Sequence, residues 1–357
     1  MAKDYKIAVT INGKDNASGK FEKFSKGVSK WMKRAEVAAI AAAVAFSTMS
    51  MKWGMDFEQQ MSSVQAVSRA TAGEMAALSE KAKQLGRDSA YSATESGKAM
   101  EFLAMAGLKP VEILAAVGDT LNLAAAGTLD LAEAADIASN VLTGFNLKAE
   151  EMGRVSDVMA ETAASSNTSV RQLGEAMSYV APQAAAAGWS LEETAAAIGM
   201  LGNAGIQSSM AGTVLRGAIN ALLNPSDAAY KAMRNLGISV ADSSGRMLSL
   251  EEILRQVDPA VLDTAEGLGE LSKVFGRRAT PGVISLIKQG SDNLGEFKTQ
   301  LEGAGGAAET MAKTKLNNLK GALTLMKSSL EGIGIALVTG GENSIVGGLK
   351  AYVTEGV

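Results

Sequence analysis

The side chains available for chemistry in this chain are carboxylates, hydroxyls, amines and guanidiniums, because it contains no cysteine and no histidine. That removes thiol nucleophiles, disulfides, most zinc sites and the commonest general base. Serine–histidine catalysis lacks its base, and a metal site would have to be built from carboxylates alone. Paired carboxylates can hydrolyse a glycan, and Glu192 and Glu193 are the pair that stands out. They sit at a helix start, where acids also serve caps and the helix dipole. Arg277 and Arg278 are a candidate phosphate grip, although arginines beside a Pro-Gly turn are also read as solvated or ion-paired. There is no phosphate-cradling G-x-x-x-x-G-K-[ST], no strand-anchored G-x-G-x-x-G and no G-x-S-x-G elbow. The sequence therefore predicts no catalytic residue, no cofactor and no metal, and a protein that is not an enzyme.

The elements that would carry such groups are predicted to be helical almost throughout. The 357 residues are 47% hydrophobic but only 4% aromatic, with 38 glycines, 18 methionines and five prolines. Small side chains let helices approach closely, and each buries little area, so such helices gain from many partners. Methionine favours adaptable packing surfaces. The formal charge of −4 is uneven. Residues 1–34 carry nine lysines and arginines against three acids, a net +6, which leaves −10 on the rest. A basic arm on an acidic body can reach toward nucleic acid, anionic lipid or an acidic protein wall, or be a solvated helix face. The absence of cysteine is compatible with any redox compartment. No secretory signal is visible. The apolar run Val37–Phe46 is about half the roughly 20 residues that a membrane span needs.

The fold class predicted is all-α: a long N-terminal helix, a central bundle of short capped helices and a coiled-coil-like C-terminal helix. Minor β structure is expected at 4–12 and as a small hairpin near 237–248. The domain reading is a strand and turn at 1–16, a long amphipathic helix at 17–70, a helical core module at 71–290 and a heptad helix with a flexible end at 291–357. Tyr5, Ile7, Val9 and Ile11 alternate as in a half-buried strand, whose partner is the 237–248 region or another chain. Phe21, Phe24, Val28 and Trp31 begin a three-four spacing that continues through Ala35, Ala38, Ala42 and Ala45 to Met49. This is either a coiled-coil seam or a face packed on the chain's own body. A second seam runs through Leu316, Leu319, Leu323, Met326, Leu330, Ile333 and Leu337, weakened by Gly321, Gly332 and Gly334. Both are predicted to join copies of the chain.

Between the seams, capping-box signatures recur at Thr71/Glu74, Ser92/Glu95, Asp130/Glu133, Ser169/Gln172, Ser190/Glu193 and Ser249/Glu252. Gly107, Gly127, Gly144, Gly188, Gly205 and Gly237 stand where helices should stop. Pro182 should kink or end its helix. A cap followed or preceded by leucine at 128–130, 190–192 and 249–251 hints at a repeated unit of about 60 residues.

The core also resembles a known family. The segments Ala99-Met-Glu-Phe-Leu-Ala-Met-Ala-Gly107, Leu121-Asn-Leu-Ala-Ala-Ala-Gly127 and Leu131-Ala-Glu-Ala-Ala-Asp-Ile-Ala138 come first. Ser169-Val-Arg-Gln-Leu173, Val180-Ala-Pro182, Ser190-Leu-Glu-Glu193 through Ile198, and Asn203-Ala-Gly-Ile206 follow, then Ala211-Gly-Thr-Val-Leu-Arg216 and Phe275-Gly-Arg-Arg-Ala279. In that order they are similar to the core of bacteriophage tail tape measure proteins, across roughly residues 55–290. The resemblance implies a virion component in the lumen of the tail tube, made in the bacterial cytoplasm. It would be a scaffold and length determinant for tube assembly, present in several copies. Implied partners are tail tube protein, tail-tip or baseplate proteins and tail assembly chaperones, with transient contact to the genome end and host membrane during genome ejection. Family members are usually longer, so the chain is expected to be a fragment or a short member. The alternative reading is a membrane-active, pore-forming or envelope-penetrating helical protein.

Overall fold

A computed structural model of the chain describes residues 36–339. The expected strand at 4–12 and the residues Phe21, Phe24, Val28 and Trp31 lie outside the described residues.

Within them the chain forms fifteen α-helices and two short 3-10 turns, at Ala149–Glu151 and Pro259–Asp263. In order, α1 is Glu36–Ser68, α2 Ala72–Asp88, α3 Ala93–Met105, α4 Pro110–Gly127 and α5 Leu131–Gly144. Next come α6 Met152–Ser165, α7 Val170–Ala186, α8 Leu191–Asn203, α9 Ser208–Leu223 and α10 Asp227–Leu236. The last five are α11 Leu250–Arg255, α12 Ala265–Gln289, α13 Ser291–Glu302, α14 Ala307–Leu316 and α15 Leu319–Thr339. The fold is all-α.

Local chemistry explains why the helices are short. Thr71, Ser92, Ser169 and Ser249 each accept the N–H of the third helical residue, whose Glu or Gln reaches back to the cap's own N–H. Asp130 is an N-cap position without a side-chain bond. Six helices close with paired bonds that satisfy their last carbonyls, each sealed by an apolar residue just beyond: Leu108, Leu129, Leu147, Trp189, Ile206 and Ile238. Four of these turns use the glycines expected there, Gly107, Gly188, Gly205 and Gly237. In the other two the left-handed residue is Thr128 or Asn146. Gly127 and Gly144 are instead the last residues of their helices and stand at close contacts. A Cβ on Gly144 would lie 2.7 Å from that of Ala181. Pro182 sits inside α7, which runs on only to Ala186.

The expected hairpin at 237–248 reduces to one antiparallel bridge, Ala241 with Met247. The Asp242 carboxylate accepts from the Ser244 hydroxyl and from the Ser244 and Arg246 N–H groups. The Ser244 hydroxyl above all, with the Arg246 bonds, holds Asp242 well below the usual carboxylate range. The side chain thus organises the turn that a longer ladder would otherwise define.

Packing proceeds outward from α8, whose residues Leu191 to Gly202 are all buried. Helices α6, α7, α9, α12 and α13 surround it. Helix α9 crosses α7 and α12, α5 rests on α7, and α10 covers α12. Helices α4, α6 and α14 form one flank, and α1, α2, α3 and α15 the other. One continuous apolar cluster runs from Phe57 to Ile335, while Ala308 of α14 packs with Ala126 and Ala160 in a separate small cluster. Close approach depends on missing side chains. A Cβ at Gly212 in α9 would strike the Ala176 carbonyl oxygen of α7, and one at Gly334 in α15 would lie 2.5 Å from the Trp53 ring of α1.

These contacts separate two kinds of glycine. Gly212→Val should destabilise the fold by about 2 kcal/mol or more, because backbone cannot move aside. Gly269→Ala, in α12 with nothing within 4 Å of the new Cβ, should stabilise by roughly 0.5–1 kcal/mol. Chemical denaturation of both variants against the parent checks this.

Candidate functional site

Glu192 and Glu193 open the buried central helix. Ser190 caps α8 by accepting the Glu193 N–H at 3.1 Å. The reciprocal bond of a capping box is absent, because the Glu193 side chain turns to another helix. Its Oε1 accepts the N–H groups of Leu250 and Glu251 at the start of α11. Ser249 and Glu193 thus satisfy three of the first N–H groups of α11 between them. Glu192 accepts two bonds from Arg154 of α6, at 2.6 Å from Nε and 2.8 Å from Nη2. Arg154 also donates to Glu151 at 3.0 Å.

The two neighbouring acids titrate in opposite directions. Burial pushes Glu193 up, against the pull of the Leu250 N–H and of Lys298. Burial would raise Glu192 too, but the Arg154 fork outweighs it and holds that carboxyl below its ordinary value. Both residues are almost fully buried, at 4% and 3% exposure. Their oxygens are spent on an ion pair, whose arginine is 43% exposed, and on a helix cap. The arrangement does structural work, tying the start of α8 to α6 and α11.

The same device occurs on the other flank. Asp157 of α6 accepts the N–H groups of Gly306 and Ala308 at 2.8 and 2.9 Å, capping α14. Lys315, at the far end of α14, donates to the Ala126 carbonyl and the Thr128 hydroxyl and so closes α4. Asp119, beside Asp157, is raised by burial and by that neighbour's charge. None of these links has a sequence signature, since each partner lies more than a hundred residues away or on a separate helix. The cleft under α14, about 500 Å³, is lined by residues such as Ala126, Val170, Met311 and Lys315 and by no acid. Among the described residues no group of acids could hold a metal ion.

The predicted C-terminal seam is divided. Leu316 ends α14 and is half-buried; Asn317 and Asn318 break the helix; the remaining positions lie on α15. Leu319, Leu323 and Met326 are 78%, 53% and 51% exposed and share one stripe. Leu330 and Ile333 are half-buried, and the Leu337 side chain lies outside the described residues. The opposite face of α15, with Ser328, Glu331, Ile335 and Val338, is buried against α1 to α3. The Ser328 hydroxyl donates to the Ala90 carbonyl at 3.0 Å. Arg277 and Arg278 are exposed just after a kink in α12, where Gly276 takes φ 72°.

Residues 79–276 match the family described as Phage-related minor tail protein. A tape measure protein of Pneumococcus phage Dp-1 is 37% identical over 292 residues, which is 81% of this chain and 25% of that protein. A probable tape measure protein of Escherichia phage P2 is 30% identical over 291 residues, 80% of this chain and 36% of that protein. The chain therefore spans about a quarter and about a third of the length of these relatives. No solved structure matches.

Removing the cross-helix cap tests the reading of the acid pair. Glu193→Ala strands the buried Leu250 N–H and the half-buried Glu251 N–H and should cost about 1–3 kcal/mol; Glu193→Gln keeps the acceptor and should cost much less. The pH dependence has a definite sign. A carboxyl raised on folding contributes stability that is complete below its ordinary value of 4.5 and is lost as pH rises through the higher folded value. Stability curves across that interval should flatten in Glu193→Gln. Glu192, lowered on folding, contributes stability above 4.5 that fades as pH falls, so Glu192→Gln should lose its deficit in acid. Denaturant titrations over a pH series read both.

Proposed function

Because the chain belongs to the phage-related minor tail protein family, we propose that it works as part of a tail tape measure protein. In this reading it is a structural component of the virion that scaffolds tail tube assembly and takes part in setting tail length. It would lie in the tube lumen in several copies and leave ahead of the genome at ejection. Its partners would be tube protein, tail-tip or baseplate proteins and assembly chaperones. The observation that carries this reading is the 37% identity to a tape measure protein over 81% of the chain. The family match at residues 79–276 spans the stretch that carries most of the resembling segments.

The structure supports a division of labour within that role. Residues 71–290 fold back on themselves repeatedly, so their rise along any one axis is far below that of a straight helix. We read them as an anchoring or docking module. Length measurement then belongs to helical segments outside it, and self-association to the apolar seam at Phe21, Phe24, Val28 and Trp31. The stripe on α15 is a further contact surface. The role is structural rather than enzymatic, since the carboxylate pair is consumed in packing. The membrane-active alternative has less support: among the described residues no helix is long and apolar enough to cross a membrane.

Two measurements test this. In a phage whose tape measure protein contains this chain, removing two heptads from a flanking helical segment should shorten the tail by about 21 Å, at roughly 1.5 Å per residue. Deletions within 71–290 should abolish tails instead of shortening them. Electron micrographs that show proportional shortening from core deletions would reject the division. For the isolated chain, equilibrium sedimentation should show self-association that Phe24→Asp with Trp31→Asp abolishes; a parent that stays monomeric at high concentration rejects the seam.

A further inference from the structure

The free half of α15 has an unusual surface for the outside of a folded module. Leu319, Leu323 and Met326 stand at steps of four and three, and all are at least half exposed. The stripe continues into half-buried Leu330 and Ile333 as α15 turns onto α1. It is the geometry by which one helix receives another.

The charges beside the stripe choose among occupants. Lys320 precedes Leu323 by three residues and Lys327 follows it by four, so both flank the same edge of the stripe. Both are exposed, and among the described residues neither forms an ion pair. On the other edge stand Ala322 and Ser329, with no charge. Glu331, the one acid of α15, follows Lys327 by four residues on the lysine side of the helix, where it is buried against the docked flank at 7% exposure and its Oε1 accepts no hydrogen bond among the described residues.

A second copy fits this edge poorly. Antiparallel pairing would set lysine against lysine, and parallel pairing would set the lysines against Ala322 and Ser329 and leave them unpaired. The chain's own residues 1–34 carry net +6 and would be repelled. A helix with leucines at the same spacing and acids along one edge would cover the apolar stripe and neutralise both lysines.

We propose that the α15 stripe is the docking site for an acid-edged amphipathic helix of a different protein. This rests on the reading of α15 as a contact surface of a tail scaffold, and it names the chemistry of the partner. Two exposed ion pairs change affinity by about tenfold in total, enough to select a partner while the apolar stripe supplies the bulk of the binding.

The test uses three labelled synthetic helices and the full chain, followed by fluorescence anisotropy. The first carries leucines at three-four spacing with glutamates along one edge; the second has lysines in place of the glutamates; the third is residues 319–339 itself. The glutamate helix should bind about tenfold tighter than the lysine helix, with the gap closing at high salt. Lys320→Glu with Lys327→Glu should reverse the order, and Leu323→Ser with Met326→Ser should remove binding of both. All four positions are exposed, so the variants should fold, as circular dichroism and the denaturation midpoint would verify. Equal binding of the two designed helices, an unchanged order in the charge-reversed chain, or tightest binding by residues 319–339 each overturns the proposal. Tail lengths and the sedimentation of the Phe24 and Trp31 variant do not enter this comparison, so the scaffold reading can fail while the docking site stands, and the reverse.

Discussion

Every α-helix leaves four N–H groups at one end and four carbonyls at the other without partners inside the helix. A protein made of many short helices meets that cost again and again, and here much of it is met between helices. Glu193 closes the start of α11, Asp157 the start of α14 and Lys315 the end of α4. The Trp189 indole donates to the Leu248 carbonyl, the Gln289 amide to that of Met200 and the Ser328 hydroxyl to that of Ala90. Each bond makes one helix's end depend on another helix's position. Burying such a group without its partner costs more than the bond itself contributes, so these links fix arrangement as well as adding stability.

The apolar part of the structure alone would leave that arrangement loose. Alanine and glycine supply much of the buried surface, and an alanine buries little area, so the gain per side chain at roughly 25 cal/mol per Å² is small. The compensation is proximity. Where α9 crosses α7 at Gly212, and α15 meets α1 at Gly334 and Gly54, backbone lies against backbone or against a larger side chain. Helix α8 takes this furthest, with every residue from Leu191 to Gly202 buried. A helix enclosed on all sides must bring its acids inside at its N-terminal end. That is why Glu192 needs the guanidinium of Arg154, and why Glu193 can reach the N–H groups of α11.

What was legible in the sequence follows the range of each interaction. The caps at Thr71, Ser92, Ser169 and Ser249 span three residues, and they were readable because both partners lie inside one short motif. Ser190 and Glu193 show the same motif and only half of its bonds, because the competing partner is 57 residues away. The stops at Gly107 and Gly188 were readable from residue type. Those at Thr128 and Asn146 were not, since the adjacent glycines are required by packing and not by the turn. The three-four spacing from Leu316 to Leu337 was visible, but the break at Asn317 and Asn318 was not. Neither residue is proline or glycine and neither has positive φ; the break is held locally, by the Asn318 side chain, which accepts the Gly321 N–H as the cap of α15 and donates to the Lys315 carbonyl at the end of α14. The acid pair was found as a pair, while its employment was invisible without the positions of Arg154 and Leu250.

In the proposed role, the folded core bears on where in the chain length could be measured. A straight helix through residues 71–290 would extend about 330 Å at 1.5 Å per residue. The local stops make that state expensive to reach. Straightening would have to break the six paired carbonyl closures and the four complete capping boxes, and expose α8 on every side. A length standard has to be extended and uniform, so that each added residue contributes the same rise. A bundle cross-linked through its own helix ends is the opposite kind of object: removing a few residues disrupts its contacts and does not shorten it. In a tail the two properties are complementary, because a ruler needs an end that is held in place while tube subunits add beside it. In the proposed role the bundle is that held end, and the exposed stripe of α15 is the surface it offers for the contact.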